Sequence, residues 1–414
     1  MNRVASLDIV HGGILFLCML ASTFPPLSSS TTISLSLVGW FAFAFFQSPI
    51  QLLNSFSRNK IAIIFTILTI VLPQIFDASI IRNRYITLAF FPLGLVIFDY
   101  YHSKDRLVVI KSILLLSLPF FAYTFYKTIT ALNDSPYASR QVTGGNFDEA
   151  TFGIGGYTFV YFLAILISIL IPYLFNSKMK HKLFLGAICA LCVFAIVKSN
   201  FFIAVLCVPV SLCITLLIMY RKMIPVFILL GFFVMVLSAL GIDKMALDSL
   251  GTISKEGKLK DRIEFLKDNG IVFGIFEMFL EDRSGTLSSS WGTLIQNPLL
   301  GSVSDSTKNI EEYLNSDAVG QHSHFLDTFA LMGVGVGILN IIVLFKPFFI
   351  PLGGDNGFVS VKYSCMAVLF IILFFNNGTP SIAFCSTIIY PWFISQNIDQ
   401  RELNDYTPLV DSHE

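Results

Sequence analysis

The chain has 414 residues, of which 55% are hydrophobic and 13% are charged, and its formal net charge at pH 7 is zero. A soluble domain normally has about one quarter charged residues, so this composition, with a mean hydropathy of +0.74, excludes an ordinary soluble protein. The balanced charge gives no indication of a nucleic-acid partner, and the positions of the charges are more informative than their sum.

Apolar runs follow one another along most of the chain, separated by polar connections. No soluble fold could bury so many of them, so we predict an all-α polytopic membrane protein with about 12 transmembrane helices. The predicted spans are 9–26, 33–53, 61–76, 85–101, 107–126, 157–175, 183–198, 201–220, 224–242, 325–345, 361–376 and 379–394. The first run is interpreted as a retained span and not as a cleaved signal peptide, because the next run follows it almost at once.

These spans define the expected organisation of the chain. It consists of N-terminal transmembrane helices (1–126), a first outer loop (127–156), central transmembrane helices (157–242), a large outer loop (243–324), C-terminal transmembrane helices (325–394) and a polar tail (395–414). No internal repeat is visible, which disfavours many transporter folds.

Lysine and arginine in the short connections indicate the orientation of the spans, because these residues are enriched on the cytoplasmic side of membrane proteins. With the N-terminus inside, the cytoplasmic segments contain Arg3, Arg58, Lys60, Lys104, Arg106, Lys178, Lys180, Lys182, Arg221, Lys222, Lys346, Lys362 and Arg401. The short outer connections contain only Arg82, Arg84 and Lys198. Both termini are therefore expected in the cytoplasm, and both long loops are expected outside.

Cysteine and histidine give no indication of a metal site or a disulfide framework. All seven cysteines lie inside apolar runs, and the pair Cys189 and Cys192 sits mid-helix without polar neighbours in sequence. Four histidines lie at membrane rims or in the tail without metal-ligand spacing; they are His11, His102, His181 and His413. Neither a metal nor another cofactor is expected.

The large loop 243–324 has its own helical patterns. Residues 255–268 have the periodicity of a short amphipathic helix. The apolar segment 271–280 is too short to cross a bilayer, so we expect it at the membrane interface or against the bundle, with Arg283 at the membrane surface. A second short helix ends at Asn297-Pro298 and contains Trp291, which suits a membrane interface. The loop is expected to fold back on the membrane as a lid.

The polar segment Gln321-His322-Ser323-His324-Phe325-Leu326-Asp327 opens the span 325–345. The run HSHFLDTFALMGVGVG resembles the signature of the O-antigen polymerase and O-antigen ligase superfamily, in which a His precedes Asn or Ser, an aromatic and an aliphatic residue, and a glycine eleven residues after the His. The residues that match are His322, Ser323, Phe325, Leu326 and Gly333.

Upstream, Arg283 followed by Asn297-Pro298-Leu299-Leu300-Gly301 is similar to the superfamily's loop pattern of an arginine, a helix and an "enPllG" corner. The tryptophan that usually follows the arginine closely is Trp291 here, eight residues on. Arg262 is a rival or a second arginine for the same role.

The resemblance implies a metal-independent enzyme of glycosyltransferase C-type fold in the inner membrane of a Gram-negative bacterium. Such enzymes transfer a glycan from undecaprenyl pyrophosphate to an acceptor sugar at the periplasmic face. The acceptor is another lipid-linked repeat for a polymerase, or lipid A core for a ligase. Members usually work with a chain-length-regulating protein, and membrane lipids surround them.

The chemistry of this reaction suits the residue types in the motifs. Negative charge grows on the departing pyrophosphate, and the guanidinium of arginine donates to phosphate oxygens in a fixed fork. The acceptor hydroxyl loses a proton as the new bond forms, and histidine is suited to accept it. We therefore hypothesise that His322 is the base or the acceptor-orienting group, with Arg283 and Arg262 on the pyrophosphate. The alternative is a helix-start histidine at a wet interface and two solvated loop arginines.

Further residues of the two loops are candidates for substrate binding. His324 competes with His322 for the role of base, and it shares a face with Asp327 if the helix is continuous. Asp327 lies at the outer end of a span, where an ionisable group is a functional candidate. Arg140 and the Gly-Gly-Tyr sequence that ends at Tyr157 resemble features of some polymerases. For each of them a solvated or helix-start role is the alternative.

Four functions are compatible with this sequence. The leading prediction is a polymerase of lipid-linked glycan repeats, and the second is a ligase that transfers the glycan to lipid A core. A secondary transporter or flippase would place charges and broken helices near mid-membrane on several spans, whereas the ionisable residues here cluster outside the spans. A structural membrane subunit is the fourth possibility.

Overall fold

The computed structural model describes residues 2–76, 82–103, 106–135, 137–143, 153–176, 179–199, 201–225, 229, 264–266, 268, 285, 287–304, 322–349 and 356–395. Within these ranges every regular element is helical and no strand occurs.

The first part of the chain forms consecutive helices with short connections. They are α1 (Asn2–Thr23), a 3₁₀ turn (Pro25–Leu27), α2 (Ser30–Gln47), α3 (Pro49–Arg58), α4 (Lys60–Ile75), α5 (Arg82–His102), α6 (Leu107–Asp134) and α7 (Ala138–Thr143). Local signals set several of the boundaries. The Ser29 side chain accepts from the Thr32 N–H and caps α2, and Pro49 opens α3 at a position where its missing N–H has no cost.

The second part continues with α8 (Tyr157–Asn176), α9 (Met179–Lys198), α10 (Phe202–Met219) and a 3₁₀ turn (Arg221–Met223). The loop helix α11 covers 287–296, and a 3₁₀ turn follows at Gly301–Ser304. The last elements are α12 (His324–Phe345), a 3₁₀ turn (Lys346–Phe349), α13 (Asn356–Phe375) and α14 (Pro380–Ser395). One turn of α14, Cys385–Ile389, is π-helical.

The protein is a multi-pass helical membrane protein. Seven of the described helical segments are long and apolar enough to cross a bilayer, and the bent pair α3–α4 would add an eighth. Three further apolar helices, Ile9–Thr23, Leu88–His102 and Pro380–Ser395, are shorter. Helices occupy the positions of the predicted spans, apart from 224–242, most of which lies outside the described residues. The helix at 325–345 is not the straight span that was predicted, because it folds back at Gly333.

Two boundaries differ from the prediction. The span expected at 33–53 ends at Gln47, and α3 then meets α4 at an angle of 89°. Helix α3 exposes Ile50 and Leu53 while burying Leu52, as a helix lying along a surface does. Helix α6 continues to Asp134, inside the predicted loop 127–156, because no proline or glycine follows Pro119 until Ser135-Pro136.

Contacts between helix ends fall into two groups. At one end, the start of α8 touches the segment between α13 and α14: the Tyr157 hydroxyl donates to the Asn377 carbonyl at 2.9 Å, and the Asn376 amide donates to the Tyr161 hydroxyl at 3.1 Å. The start of α12 joins them, because the His324 N–H donates to the Asn376 carbonyl at 3.1 Å. We call this the His324 end.

Other helix ends form a second group of contacts. Arg58 Nε lies 3.1 Å from Asp99 Oδ2, and the Lys346 ammonium donates at 2.8 Å to both the Arg58 carbonyl and Asn59 Oδ1. The Tyr173 and Phe393 rings pack at 5.0 Å. Arg58, Asp99 and Tyr173 lie near helix ends that the charge distribution predicts to be cytoplasmic. Lys346 is not on the far side of the bundle from His324, because the preceding Phe345 ring lies 6.2 Å from that of Phe325.

Candidate functional site

The site is built around the start of α12. The Ser323 side chain accepts from the Leu326 N–H at 3.2 Å and caps the helix, which therefore begins at His324. This cap separates the two histidines of the motif. His322 precedes the helix in a bend and is exposed, whereas His324 is buried in its first turn.

Helix α12 is not one straight rod, because Gly333 interrupts it. Gly333 has φ 77° and ψ 175°, and contacts across it join residues that a straight helix would hold far apart. The Phe325 and Phe345 ring centroids lie 6.2 Å apart, whereas twenty residues of straight α-helix span about 30 Å. The Asn340 amide also donates to the Thr328 hydroxyl at 3.3 Å. The arms 324–332 and 334–345 therefore lie side by side as a hairpin.

A short loop segment holds the tip of this hairpin. The Val334 N–H, which Gly333 frees from the helical ladder, donates to the Pro298 carbonyl at 2.8 Å. A Cβ on Gly333 would lie 2.1 Å from the Leu299 carbonyl oxygen, and one on Gly301 would lie 2.4 Å from that of Leu331. The two backbones approach so closely that only glycine fits at either position. The corner 297–301 and Gly333, which both belong to the resemblance, thus pack on each other.

His324 packs between α5 and the segment that joins α13 to α14. Its ring centroid lies 5.5 Å from that of Phe91, near the middle of α5, and a Cβ on Gly378 would lie 2.7 Å from its Nδ1. Its backbone N–H is held by the Asn376 carbonyl. His324 is therefore a buried packing residue of the site, whereas His322 is exposed.

Arg140 and Tyr157 reach the same place from the first outer loop. The Arg140 guanidinium lies 5.4 Å from the centroid of the Phe201 ring, a distance suited to a cation–π contact. The same ring packs against Tyr157 at 6.0 Å and Tyr161 at 5.9 Å. Since these tyrosines hold Asn376 and Asn377, contacts run without interruption from Arg140 to His324.

Asp327 is buried, with 2% of its surface exposed, on the first turn of α12. Its carboxylate accepts a 2.6 Å hydrogen bond from the hydroxyl of Ser290, which is 1% exposed. This bond fastens the loop helix α11 to the first arm of the hairpin. Asp327 therefore has a structural role near His322, and its burial keeps its carboxylate away from solvent.

The glycines that precede Tyr157 have a packing role. A Cβ on Gly153, which has φ 84°, would lie 2.5 Å from the Tyr123 ring, and the Gly155 N–H donates to the Thr128 hydroxyl at 2.8 Å. They bring the start of α8 against α6. This contact positions Tyr157 and explains the glycine pattern without a ligand.

A chain of contacts thus connects Arg140, Tyr157 and His324, and Asp327 lies on the first turn of α12 with His324, just after the exposed His322. Arg283 and Arg262 lie outside the described residues, as does most of the loop 243–324. In the described part of the chain, no three histidine, cysteine, aspartate or glutamate side chains lie close enough to hold a metal ion.

Sequence reasoning missed several residues that build this site. Asn376, Asn377 and Gly378 act through two backbone carbonyls and a missing Cβ, which leave little trace in a sequence. The Asn-Asn-Gly-Thr break between the apolar runs of α13 and α14 was the available signal. Ser290 was visible only as one of three serines in a loop helix.

The arrangement can support transfer to a hydroxyl at the surface of a membrane. It offers an exposed imidazole able to accept a proton, and a guanidinium, half-buried against an aromatic ring, able to hold phosphate oxygens. The chain matches no family model, no curated protein and no solved structure.

Proposed function

We propose that this protein is a glycan polymerase that joins repeat units carried on undecaprenyl pyrophosphate. The proposal combines the motif that begins at His322 with the clustering of the other predicted site residues at the same end of the bundle. Under this proposal, the His324 end faces the periplasm and about 12 helices cross the inner membrane. The large loop 243–324 covers the site.

The observation that carries the proposal is the contact between the two separate pieces of the motif. The corner 297–301 packs on Gly333, at the end of the arm that begins at His324, two residues after His322. A sequence match that arose by chance would give no reason for these pieces to touch. The contact supports one structural unit, in which the loop corner positions the helix that begins beside His322.

Each residue has a role in this proposal. His322, exposed beside the helix cap, accepts the proton of the attacking sugar hydroxyl. Arg140, with Arg283 and Arg262 from the loop, binds the pyrophosphate as charge develops on its oxygens. Tyr157 and His324 shape the site, and Asp327 holds α11 in place. A regulator of chain length is the expected protein partner.

Deletion of the gene in its host, followed by electrophoresis of the surface glycan, separates the alternatives. Loss of a polymerase leaves single repeats attached to the lipid core. Loss of a ligase leaves no glycan attached, with lipid-linked polymer accumulating. An unchanged distribution of chain lengths and unchanged attachment would contradict both enzymatic functions and would favour a transporter or a structural subunit.

A further inference from the structure

The loop helix α11 has an apolar stripe that the rest of the described chain leaves uncovered. Trp291 is 55% exposed, Ile295 is 62% exposed and Leu299, just past the end of the helix, is 82% exposed. The spacing of four residues aligns the first two on one face of the helix. We call these three residues the Trp291 stripe. Apolar surface of this kind marks an interaction site when it is contiguous.

The orientation of the stripe is fixed by the neighbouring face of α11, about 100° around the helix. There, Ser290 donates to the Asp327 carboxylate at 2.6 Å, and Leu294 is buried. The Pro298 carbonyl then binds the Val334 N–H. With both ends of the helix attached to the α12 hairpin, the Trp291 stripe is held outward.

The stripe continues directly into a surface that faces lipid. On the second arm of the hairpin, the exposed large residues are Val334, Ile338, Ile341 and Ile342, spaced as one face of a helix. A membrane-spanning bundle presents such faces to acyl chains. Because Leu299 lies beside Gly333, the Trp291 stripe joins this face at the hairpin tip. The hydrogen bond from Ser290 to Asp327 brings the Trp291 part of the stripe beside the first turn of α12.

The composition of α11 suits a membrane interface. The sequence LSSSWGTLIQ has no charged residue, and the hydroxyls of Ser288 and Ser289 donate to the Gly285 carbonyl at 2.8 and 3.0 Å. These internal hydrogen bonds lower the cost of removing the serines from water. Tryptophan is the residue most typical of the boundary between headgroups and acyl chains.

We infer that α11 is an interfacial helix whose Trp291 stripe inserts into the outer-leaflet boundary of the bilayer, beside the His322 site. Its occupant is lipid. This attachment fixes the loop corner 297–301, and therefore the hairpin tip, at the level of the membrane surface. The choice of the outer leaflet rests on the predicted orientation of the spans, whereas insertion of the stripe rests on exposure and contacts and is independent of the glycan substrate.

Tryptophan fluorescence tests this inference, because the chain has three tryptophans and Trp40 is fully buried. The full-length protein with Trp40→Phe and Trp392→Phe is reconstituted in phosphatidylcholine vesicles, with brominated phosphatidylcholine or aqueous iodide as quencher. We expect brominated lipid to remove most of the Trp291 emission and iodide to remove little. A variant that keeps only Trp40 is the control and is quenched by neither.

Other quenching patterns overturn the inference. Strong quenching by iodide with none by brominated lipid would place the stripe in water. Protection from both quenchers would place a second protein chain over it. If the double variant does not fold, the difference between the natural chain and Trp291→Phe gives the same comparison.

A matched pair of charge substitutions adds a second test. Ile295→Glu puts a carboxylate in the stripe and is expected to shift the Trp291 emission to longer wavelength in vesicles. Gln296→Glu puts the same charge on the neighbouring exposed residue and is expected to leave the emission unchanged. Equal shifts for both variants would contradict insertion of this particular face.

Discussion

Asp327 and Ser290 form the most specific side-chain contact in the site. A buried carboxylate needs hydrogen-bond donors, because the desolvation of an unpaired one is costly. Here a hydroxyl from a helix 37 residues away supplies one at 2.6 Å. The pair therefore joins two elements that are distant in sequence.

A double-mutant cycle measures this pair. Ser290→Ala and Asp327→Ala should each destabilise the protein, and together they should cost less than the sum of the two. The expected coupling is about 0.5–3 kcal/mol, as for residues in direct contact. The measurement is the free energy of unfolding in detergent. Additive effects would mean that the hydroxyl and the carboxylate do not bind each other.

Gly378 offers a second test at the residue scale. A Cβ there would press against Nδ1 of His324 and against Phe91, so Gly378→Ala should displace the buried ring. We expect a loss of stability of about 1–3 kcal/mol, typical of overpacking. Gly335→Ala is the matched control, because a Cβ there meets nothing within 4 Å. Equal unfolding energies for the two variants would contradict the packing around His324.

At the scale of elements, the α12 hairpin is the feature that positions the histidines. Its tip combines a glycine with φ 77°, a backbone hydrogen bond to the loop and a second glycine that allows the backbones to touch. Without the fold at Gly333, the start of α12 would lie far from Phe345. The hairpin thus links the loop corner to His322.

The hairpin makes a distance prediction. Spin labels at positions 326 and 342, in a cysteine-free background, would lie about 24 Å apart on a straight helix. In the folded-back structure we expect a clearly shorter distance by pulsed electron paramagnetic resonance. Labels at 359 and 375, on the continuous helix α13, are the control and should give about 24 Å. Equal distances for the two pairs would show that α12 is straight.

The limits of sequence prediction are clear in this element. Hydropathy predicted a single span at 325–345, because both arms are apolar and composition carries no information on direction. The sequence has three glycines in this helix, at 333, 335 and 337, and does not show at which of them the chain reverses. Gly333 is the one that packs on the corner 297–301, and this contact is between backbones, so it leaves no pattern in the sequence. The boundaries of α8, α9 and α10, in contrast, were predicted closely by the lengths of their apolar runs.

For the whole molecule, the orientation that the positive charges predict stays a prediction, whereas the grouping of helix ends is seen in the contacts. Tyr157, Phe201 and His324, all expected outside, form one group of contacts, and Arg58 and Lys346, expected inside, form another. The α12 hairpin brings its first and last residues close together, so the distance between the two groups is shorter than a straight span would give. Asn376–Gly378 could not be assigned to the site in advance, because carbonyl oxygens and a missing side chain have no chemical signature in a sequence.

Cysteine labelling tests the orientation of the whole molecule. In a cysteine-free background, single cysteines replace His322 and His181, which are both exposed and lie on opposite sides in the predicted topology. A membrane-impermeant maleimide added to spheroplasts should label position 322 at once. It should label position 181 only after permeabilisation. The reverse pattern would place the His322 site in the cytoplasm.

The central claim is that His322 acts in the transfer of a lipid-linked glycan. The direct measurement is the rate of glycan elongation by the purified protein, reconstituted with undecaprenyl-pyrophosphate-linked repeat units from its host. We predict that His322→Ala lowers this rate by about 10²–10⁴-fold, as expected for loss of a general base, while His181→Ala retains the full rate. Elongation at the natural rate by His322→Ala, or no elongation by the natural protein, would contradict the account.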